Sequence, residues 1–290
     1  MQISTIPLNP ERSRPIDYLV IGHLTADLTP TGIRMGGTVT FSGLTAHRLG
    51  LKVGIITSFA EDIDTSAIDH LWLKNKKSDQ TTTFKNISDG INRTQYLYHI
   101  ARPLNEGDQP DFPTPPKIVH LGPIANEVDP EIIAAYPESM KCLTPQGWFR
   151  SRNDQDQVQL TSWEGAEKYL SMADAAVISV EDVQKDETYI AKLAASIPIF
   201  VVTENYRGAR VYWHNDARFI SAPEVKYVDD TGAGDIFAAA FFYRYYSTKD
   251  PWEAGRFAVK LASWSVQRAY LESIPTPDEI EKAKLEVIGY

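Results

Sequence analysis

The residues best suited to chemistry lie in one run, VDDTGAGDIFAAAFFYRYY, at positions 228–246. A polar, glycine-containing turn from Asp230 to Gly234 leads into an apolar helix predicted to start near Asp235. Glycines at 232 and 234 let the backbone turn tightly without Cβ clashes. The first amides of any helix lack internal partners, and the helix dipole adds positive potential at the same end. Gly232, Ala233 and Gly234 thus read as an anion site, suited to a phosphate or to the charge that builds on a phosphoryl group in transfer. Asp235 falls in the first turn, where its carboxylate can take a proton from an attacking hydroxyl. A loop that merely turned the chain would not need Asp229, Asp230 and Asp235 around it and a long apolar helix behind it.

Two other phosphate-binding motifs are excluded. No G-x-x-x-x-G-K-[ST] run occurs, so there is no P-loop. The G-x-G at 232–234 lacks the third glycine of a dinucleotide fingerprint, since Phe237 stands there, and it lies far from the first βαβ unit. Six scattered histidines show no metal-ligand spacing.

Positioning such a loop takes a sheet. Short Val- and Ile-rich runs at 16–22, 53–59, 117–122, 175–180 and 198–203 read as parallel strands covered on both faces. Helical segments separate them. Residues 39–50 end in a capping glycine, Asp129-Pro130-Glu131 starts another helix, and 161–172 and 186–196 are two more. Asp250-Pro251-Trp252-Glu253 and Thr276-Pro277-Asp278-Glu279 each set a capping oxygen, a proline and a Glu three residues on. Alternating strands and helices imply an α/β, doubly wound, mainly parallel sheet with helices on both faces. One region departs from this rhythm. Residues 81–87 and 93–101 alternate polar and apolar side chains around SDGIN, which predicts an inserted antiparallel hairpin: a sheet edge, a dimerisation surface or, the preferred reading, a lid over a site that can also dimerise. The first ~15 residues read as a loose arm.

Composition bounds the partners. With 290 residues, 43% hydrophobic and 23% charged, the chain can bury a sizeable core. A net charge of −9 excludes a surface-wide footprint for nucleic acid. One cysteine, Cys142, permits no internal disulfide, and no apolar run approaches the ~20 residues that span a bilayer. A cytoplasmic protein with no membrane partner is expected.

DDTGAGD resembles the C-terminal signature of the ribokinase-like, phosphofructokinase-B-type carbohydrate kinases. GHLTAD at 22–27 and MGGTVTFSGLTAHRLG at 35–50 resemble the N-terminal one. The order of features matches over roughly residues 16–285. The resemblance implies a single ribokinase-like domain over 1–290, with a β lid formed by about 28–36 and 81–103. It implies an ATP-dependent kinase with Mg2+, in which Asp235 is the catalytic base and Gly232, Ala233 and Gly234 supply the anion hole. Asp27, Gly36 and Gly37 would bind substrate hydroxyls and form the hinge. Phe41 stands where the family commonly has an Asn that contacts the sugar, implying an acceptor other than ribose. The family's Asn-x-x-Glu element reads Ser179-Val180-Glu181-Asp182 here, so Glu181 or Asp182 would hold Mg2+ through water. Thr203, Arg207, Gly208 and Thr231 would border the nucleotide, and Asp229 matches a monovalent-cation position that would take K+. Thr83-Phe84, PQGWFR, SVED and DDTGAGD are most similar to the plant inositol-kinase-like branch. The implied acceptor is a polyol, either an inositol or a sugar. A nucleoside kinase and a catalytically silent binding relative remain open, and a homodimer through the lid is an expected assembly.

Overall fold

Alternate residues of each short apolar run face opposite sides of one sheet, and both sides are covered. In the computed structural model, which describes residues 15–88 and 93–285, strand β1 is Tyr18–Ile21. Tyr18 and Val20 enter the core on one face, Leu19 and Ile21 the core on the other. That two-sided burial is what a parallel strand requires, and it explains the absence of polar alternation.

Strands β2 (Thr25–Thr29) and β3 (Gly32–Gly36) follow, then helix α1 (Thr38–Arg48). Next come β4 (Val53–Thr57), β5 (Trp72–Asn75), β6 (Thr82–Ser88), β7 (Arg93–His99), β8 (Ile118–Leu121) and β9 (Met140–Leu143). The middle of the chain carries β10 (Arg150–Arg152), β11 (Val158–Leu160), α2 (Ala166–Ser171), β12 (Ala175–Ser179), α3 (Glu187–Ala194) and β13 (Ile199–Thr203). It closes with β14 (Gly208–Trp213), β15 (Asp216–Ser221), α4 (Ala233–Thr248), α5 (Pro251–Ser265) and α6 (Pro277–Lys284).

Nine strands form the main sheet, in the order β15-β14-β13-β12-β9-β8-β1-β4-β5. Its seven strands from β13 to β5 run parallel, and β14 and β15 add an antiparallel edge. All five predicted parallel strands lie in it. The sequence reading did not resolve β5, β9 or the antiparallel edge. A separate sheet, β3-β2-β6-β7, contains the predicted hairpin as β6 and β7. The loose arm at 1–14 and the turn at 89–92 lie outside the described residues.

Helix ends largely follow their caps. α1 ends in a Schellman motif: Gly50 takes φ 89° and donates its N–H to His47, while the Leu51 N–H reaches Ala46. Asp250 accepts from the N–H groups of Trp252 (2.8 Å) and Glu253 (3.1 Å). Thr276 and Glu279 form a reciprocal capping box at α6. Glu253 instead pairs with Arg244 of α4. Two expectations are corrected. Asp129 caps a 3-10 helix (Pro130–Ala135) rather than an α-helix, and the helix sought at 161–172 occupies only Ala166–Ser171, opening on Gly165 at φ 74°.

α1, α4 and α5 cover the sheet face that holds Tyr18 and Val20. Ile236 to Phe242 of α4 are all buried, at roughly 1.5–3 kcal/mol for each large side chain. This fixes the N-terminus of α4 at the carboxyl ends of the parallel strands, where open α/β sheets bind ligands. The ribbon β10–β11 bridges from the main body to the small sheet. The Arg152 guanidinium donates to the carbonyls of Leu97 (3.2 Å) and Tyr98 (3.0 Å), and the Leu97 N–H donates to the Asp156 carbonyl (2.8 Å).

Candidate active site

A cleft of about 630 Å³ lies between the small sheet, the β10–β11 ribbon and the carboxyl ends of β12 and β13. Its floor is the loop that opens α4. Gly232 is the N-cap residue, with φ 80°, a conformation that favours glycine. A Cβ on Gly232 would lie 2.2 Å from the Phe41 ring, whereas around Gly234 there is open space. Phe41 itself is 2% exposed, so it supports the loop from below. Asp229 braces the same loop, accepting at Oδ1 from the Thr231 N–H (2.9 Å) and hydroxyl (2.7 Å) and at Oδ2 from the Tyr270 N–H (3.2 Å).

Asp235 lines the cleft in the first turn of α4. It is ringed by protein yet reachable from the cleft, and its pKa is pushed up to about 6, chiefly by desolvation. A hydrogen bond from Thr38 and the charge of Arg150 oppose the rise, while Asp182 and Asp27 add to it. The Ser42 hydroxyl, on α1, holds the Asp235 carbonyl at 3.1 Å, locking α1 to α4 beside the site.

Asp27 forms the opposite wall. It is 9% exposed and accepts a hydrogen bond at Oδ1 from Thr25 (3.1 Å). A Cβ at Gly36 would fall 2.4 Å from Asp27 Oδ2, so glycine there leaves room for the carboxylate. Gly37, the N-cap of α1, takes φ 89° against the His23 carbonyl. The root of the small sheet is pinned by polar groups the sequence reading did not single out. His23 Nδ1 bonds Thr82 at 2.7 Å, and the buried Glu127 carboxylate accepts from the N–H groups of His23 (3.0 Å) and Ala125 (2.7 Å).

At the β12 end, Asp182 is 7% exposed. Its carboxylate accepts from the Ser179 N–H (2.8 Å) and the Gln146 amide (3.3 Å), and burial raises its pKa. Glu181 also lines the cleft and accepts from the Asn205 amide at 2.8 Å. Among the described residues no cluster of three His, Cys, Asp or Glu could cage a metal ion. The two carboxylates and the open cleft nevertheless fit a hydrated Mg2+, which keeps several waters and takes one or two carboxylates plus phosphate oxygens.

The cleft lining brings together Asp27, Gly37, Phe41, Glu181, Asp182, Thr203, Thr231, Gly232, Gly234 and Asp235 of the predicted set. Gly36 and Ala233 flank it, and Asp229 stands behind the loop. Arg207 and Gly208 do not line it. The 3-10 turn Asn205–Arg207 carries Arg207 toward Glu204 (3.3 Å) and the Phe219 ring (5.9 Å), and Gly208 is buried under the Ile220 carbonyl. Trp252 is buried against Trp213 and Arg218, away from the cleft lining. His120 is buried between Tyr18 and Thr144, at 2.8 Å from each. Among the described residues five acids line the cleft (Asp27, Glu181, Asp182, Asp230 and Asp235), and Arg150 is the one basic lining residue. Thr38, Gln146 and Arg150 went unassigned in the sequence. The run PQGWFR held two of them, but nothing in its spacing said that Gln146 would meet Asp182 or Arg150 act on Asp235.

Residues 162–278 match the pfkB family of carbohydrate kinases. Over 189 residues the chain is 25% identical to a probable fructokinase-5 of Arabidopsis thaliana, covering 57% of each, so it spans just over half of that relative. Over 310 aligned residues it is 23% identical to a nucleoside kinase of Methanothermobacter thermautotrophicus, covering 94% of this chain and 97% of that one. A pyrophosphate-dependent kinase of the ribokinase family, solved with a pyrophosphate analogue and myo-inositol, superposes with a TM-score of 0.77 at 21% identity, covering 91% and 99%. The fold is that of the ribokinase-family structures it superposes on.

Proposed function

We propose that this protein transfers a phosphoryl group from ATP to a hydroxyl of a small polyhydroxylated molecule, an inositol or a sugar, with Asp235 as general base. The observation that carries the reading is the Asp235 carboxyl, held in the first turn of α4 on the cleft floor with a pKa near 6. A base poised there is ionised at neutral pH yet basic enough to accept a hydroxyl proton.

The acceptor lies between Asp27 and Asp235. Asp27 receives one of its hydroxyl protons in a hydrogen bond, and Asp235 removes another. The freed oxygen attacks the terminal phosphorus in line, and the bond to the leaving phosphate breaks. The N–H groups of Gly232, Gly234 and Asp235 would face the charge that develops, while the Ala233 N–H donates to the Asp230 carbonyl (3.0 Å), and Arg150 adds a positive side chain from the cleft lining. Thr203 and Thr231 border the donor. Glu181 and Asp182 would hold a hydrated Mg2+, whose charge offsets that of the donor phosphates. The small sheet acts as a lid that excludes water and so suppresses hydrolysis of the donor. Its outer face leaves Ile33 58% and Ile87 44% exposed, where a second copy would dock to form a homodimer.

A panel of inositols, sugars and nucleosides, assayed for ADP release with ATP and for phosphate release with pyrophosphate, tests the reading. Turnover of a polyol that disappears in Asp235→Asn, with the fold retained, supports it. Turnover that survives Asp235→Asn removes Asp235 as the base. The nucleoside kinase relative favours a second reading, in which a nucleoside is the acceptor, and the same panel separates the two.

A further inference from the structure

We propose that Thr144 offers its hydroxyl proton to an oxygen of the acceptor, and that His120 and Tyr18 are buried positioning residues that aim it there. The inference rests on the acceptor lying between Asp27 and Asp235, as proposed above. Tyr18 of β1 and His120 of β8 stand on neighbouring parallel strands, and both are fully buried. Thr144 directly follows β9 and lines the cleft. The Tyr18 hydroxyl lies 2.8 Å from His120 Nδ1, and Nε2 of the same ring lies 2.8 Å from Thr144 Oγ1. Phe242 of α4 packs edge-on against the imidazole, with 5.1 Å between ring centroids.

The direction of the protons follows from what each group must satisfy. Burial keeps His120 neutral, its pKa lowered to about 3, and keeps Tyr18 protonated. A neutral imidazole carries one N–H and one bare nitrogen. Among the described residues the Tyr18 hydroxyl meets no acceptor other than Nδ1, and a buried hydroxyl proton without a partner is costly. Tyr18 therefore donates to Nδ1, which puts the ring proton on Nε2. Nε2–H donates in turn to Thr144 Oγ1. The Thr144 proton cannot go back to the ring, and among the described residues its hydroxyl has no second protein partner. That proton is left to the cleft.

Such a donor has a use here, because ionised carboxylates only accept hydrogen bonds. An acceptor hydroxyl that gives its proton to one of the acids in the lining still has lone pairs to be met. A Cβ on Gly122 would lie 3.2 Å from Thr144 Oγ1 and 2.4 Å from Thr38 Cγ2, so the glycine lets both threonines close on one point of the floor. Thr38 is the first residue of α1, directly after the Gly36-Gly37 pair that abuts Asp27. The Thr144 hydroxyl thus opens on the acceptor's side of the cleft.

Two measurements test this. In 15N-histidine-labelled wild type, with His120 assigned by the signal lost in His120→Gln, the ring should show Nε2 protonated and Nδ1 bare. Thr144→Val keeps the shape of the side chain and deletes the hydroxyl. The acceptor KM should rise about fivefold, the scale of one neutral hydrogen bond, with the donor KM unchanged, and Thr144→Ser should return it to within about twofold of wild type. A proton on Nδ1 overturns the inference, because Thr144 would then give its own proton to the ring. A Thr144→Val variant that melts earlier but keeps the wild-type acceptor KM overturns it too, as does one in which both KM values rise alike. Should the wild type turn over no acceptor, the kinase reading falls, while the protonated nitrogen of His120 still decides whether the hydroxyl is aimed at the cleft.

Discussion

Gly232→Ala should cost both stability and activity, and the two causes can be separated. The substitution puts a Cβ on a residue at φ 80°, at roughly 1–2 kcal/mol. It also drives that Cβ to 2.2 Å from the Phe41 ring, which is 2% exposed and has nowhere to go. Overpacking of this kind costs a further ~1–3 kcal/mol. The expected loss is therefore ~2–5 kcal/mol by urea denaturation, with kcat falling as the amides of residues 232–235 shift from the phosphoryl position. Gly234→Ala is the control: its Cβ meets open space, and its stability should stay within about 0.5 kcal/mol of wild type. A third variant isolates the clash. Phe41→Ala alone should cost ~3–5 kcal/mol by opening a cavity. Combined with Gly232→Ala it should cost less than the sum, by ~1–3 kcal/mol, because the added methyl no longer meets a ring. Strict additivity, or a Gly232→Ala variant as stable as Gly234→Ala, would refute the account of the loop.

Other outcomes follow from the charges around the cleft. Asp235 must be ionised to act as a base, so kcat/KM should rise with pH through about 6 and level off above it. Removing the cation in Arg150→Gln should move that acid limb to higher pH, since Arg150 holds the Asp235 pKa down; an unmoved limb would separate Arg150 from the base. Asp235 also carries a stability signature. Its native pKa lies above the unfolded value of 3.8, so the native state holds the extra proton and stability falls as pH rises from about 4 through 6. Asp235→Asn should therefore be more stable than wild type at pH 8, by on the order of 1–3 kcal/mol, and no more stable at pH 4; denaturation midpoints at the two pH values decide this. If Asp229 takes a monovalent cation beside its three hydrogen bonds, turnover should be higher in potassium than in choline chloride, and equal turnover would remove that role.

The parts of the molecule legible in the sequence were those specified within one contiguous run. The Val- and Ile-rich strands could be read because burial on both faces leaves no polar alternation. The loop that opens α4 could be read because its glycines, its acids and the helix behind it are neighbours in the chain. β9 was missed because Met140–Leu143 is four residues with a lysine in it, and β14 and β15 because an edge hairpin is patterned like the loops around it. The cleft walls needed tertiary information. Thr38 and Arg150 meet Asp235 across nearly two hundred and about eighty-five residues of chain, a distance no local pattern spans. Arg207 lies outside the cleft lining because a single 3-10 turn aims its side chain at Glu204 and the Phe219 ring, a direction no sequence pattern gives.

The ribbon from Arg150 to Leu160 has a mechanical consequence. Its first residue carries the positive charge that faces Asp235, and two residues later Arg152 grips the carbonyls of the roof strand Leu97–Tyr98. Swinging the roof outward must either tear those bonds or pull the guanidinium along with it. On the proposed reading, admission of the acceptor and the electrostatics of Asp235 would thereby be geared together, since an opened roof would also withdraw part of the counter-charge from Asp235.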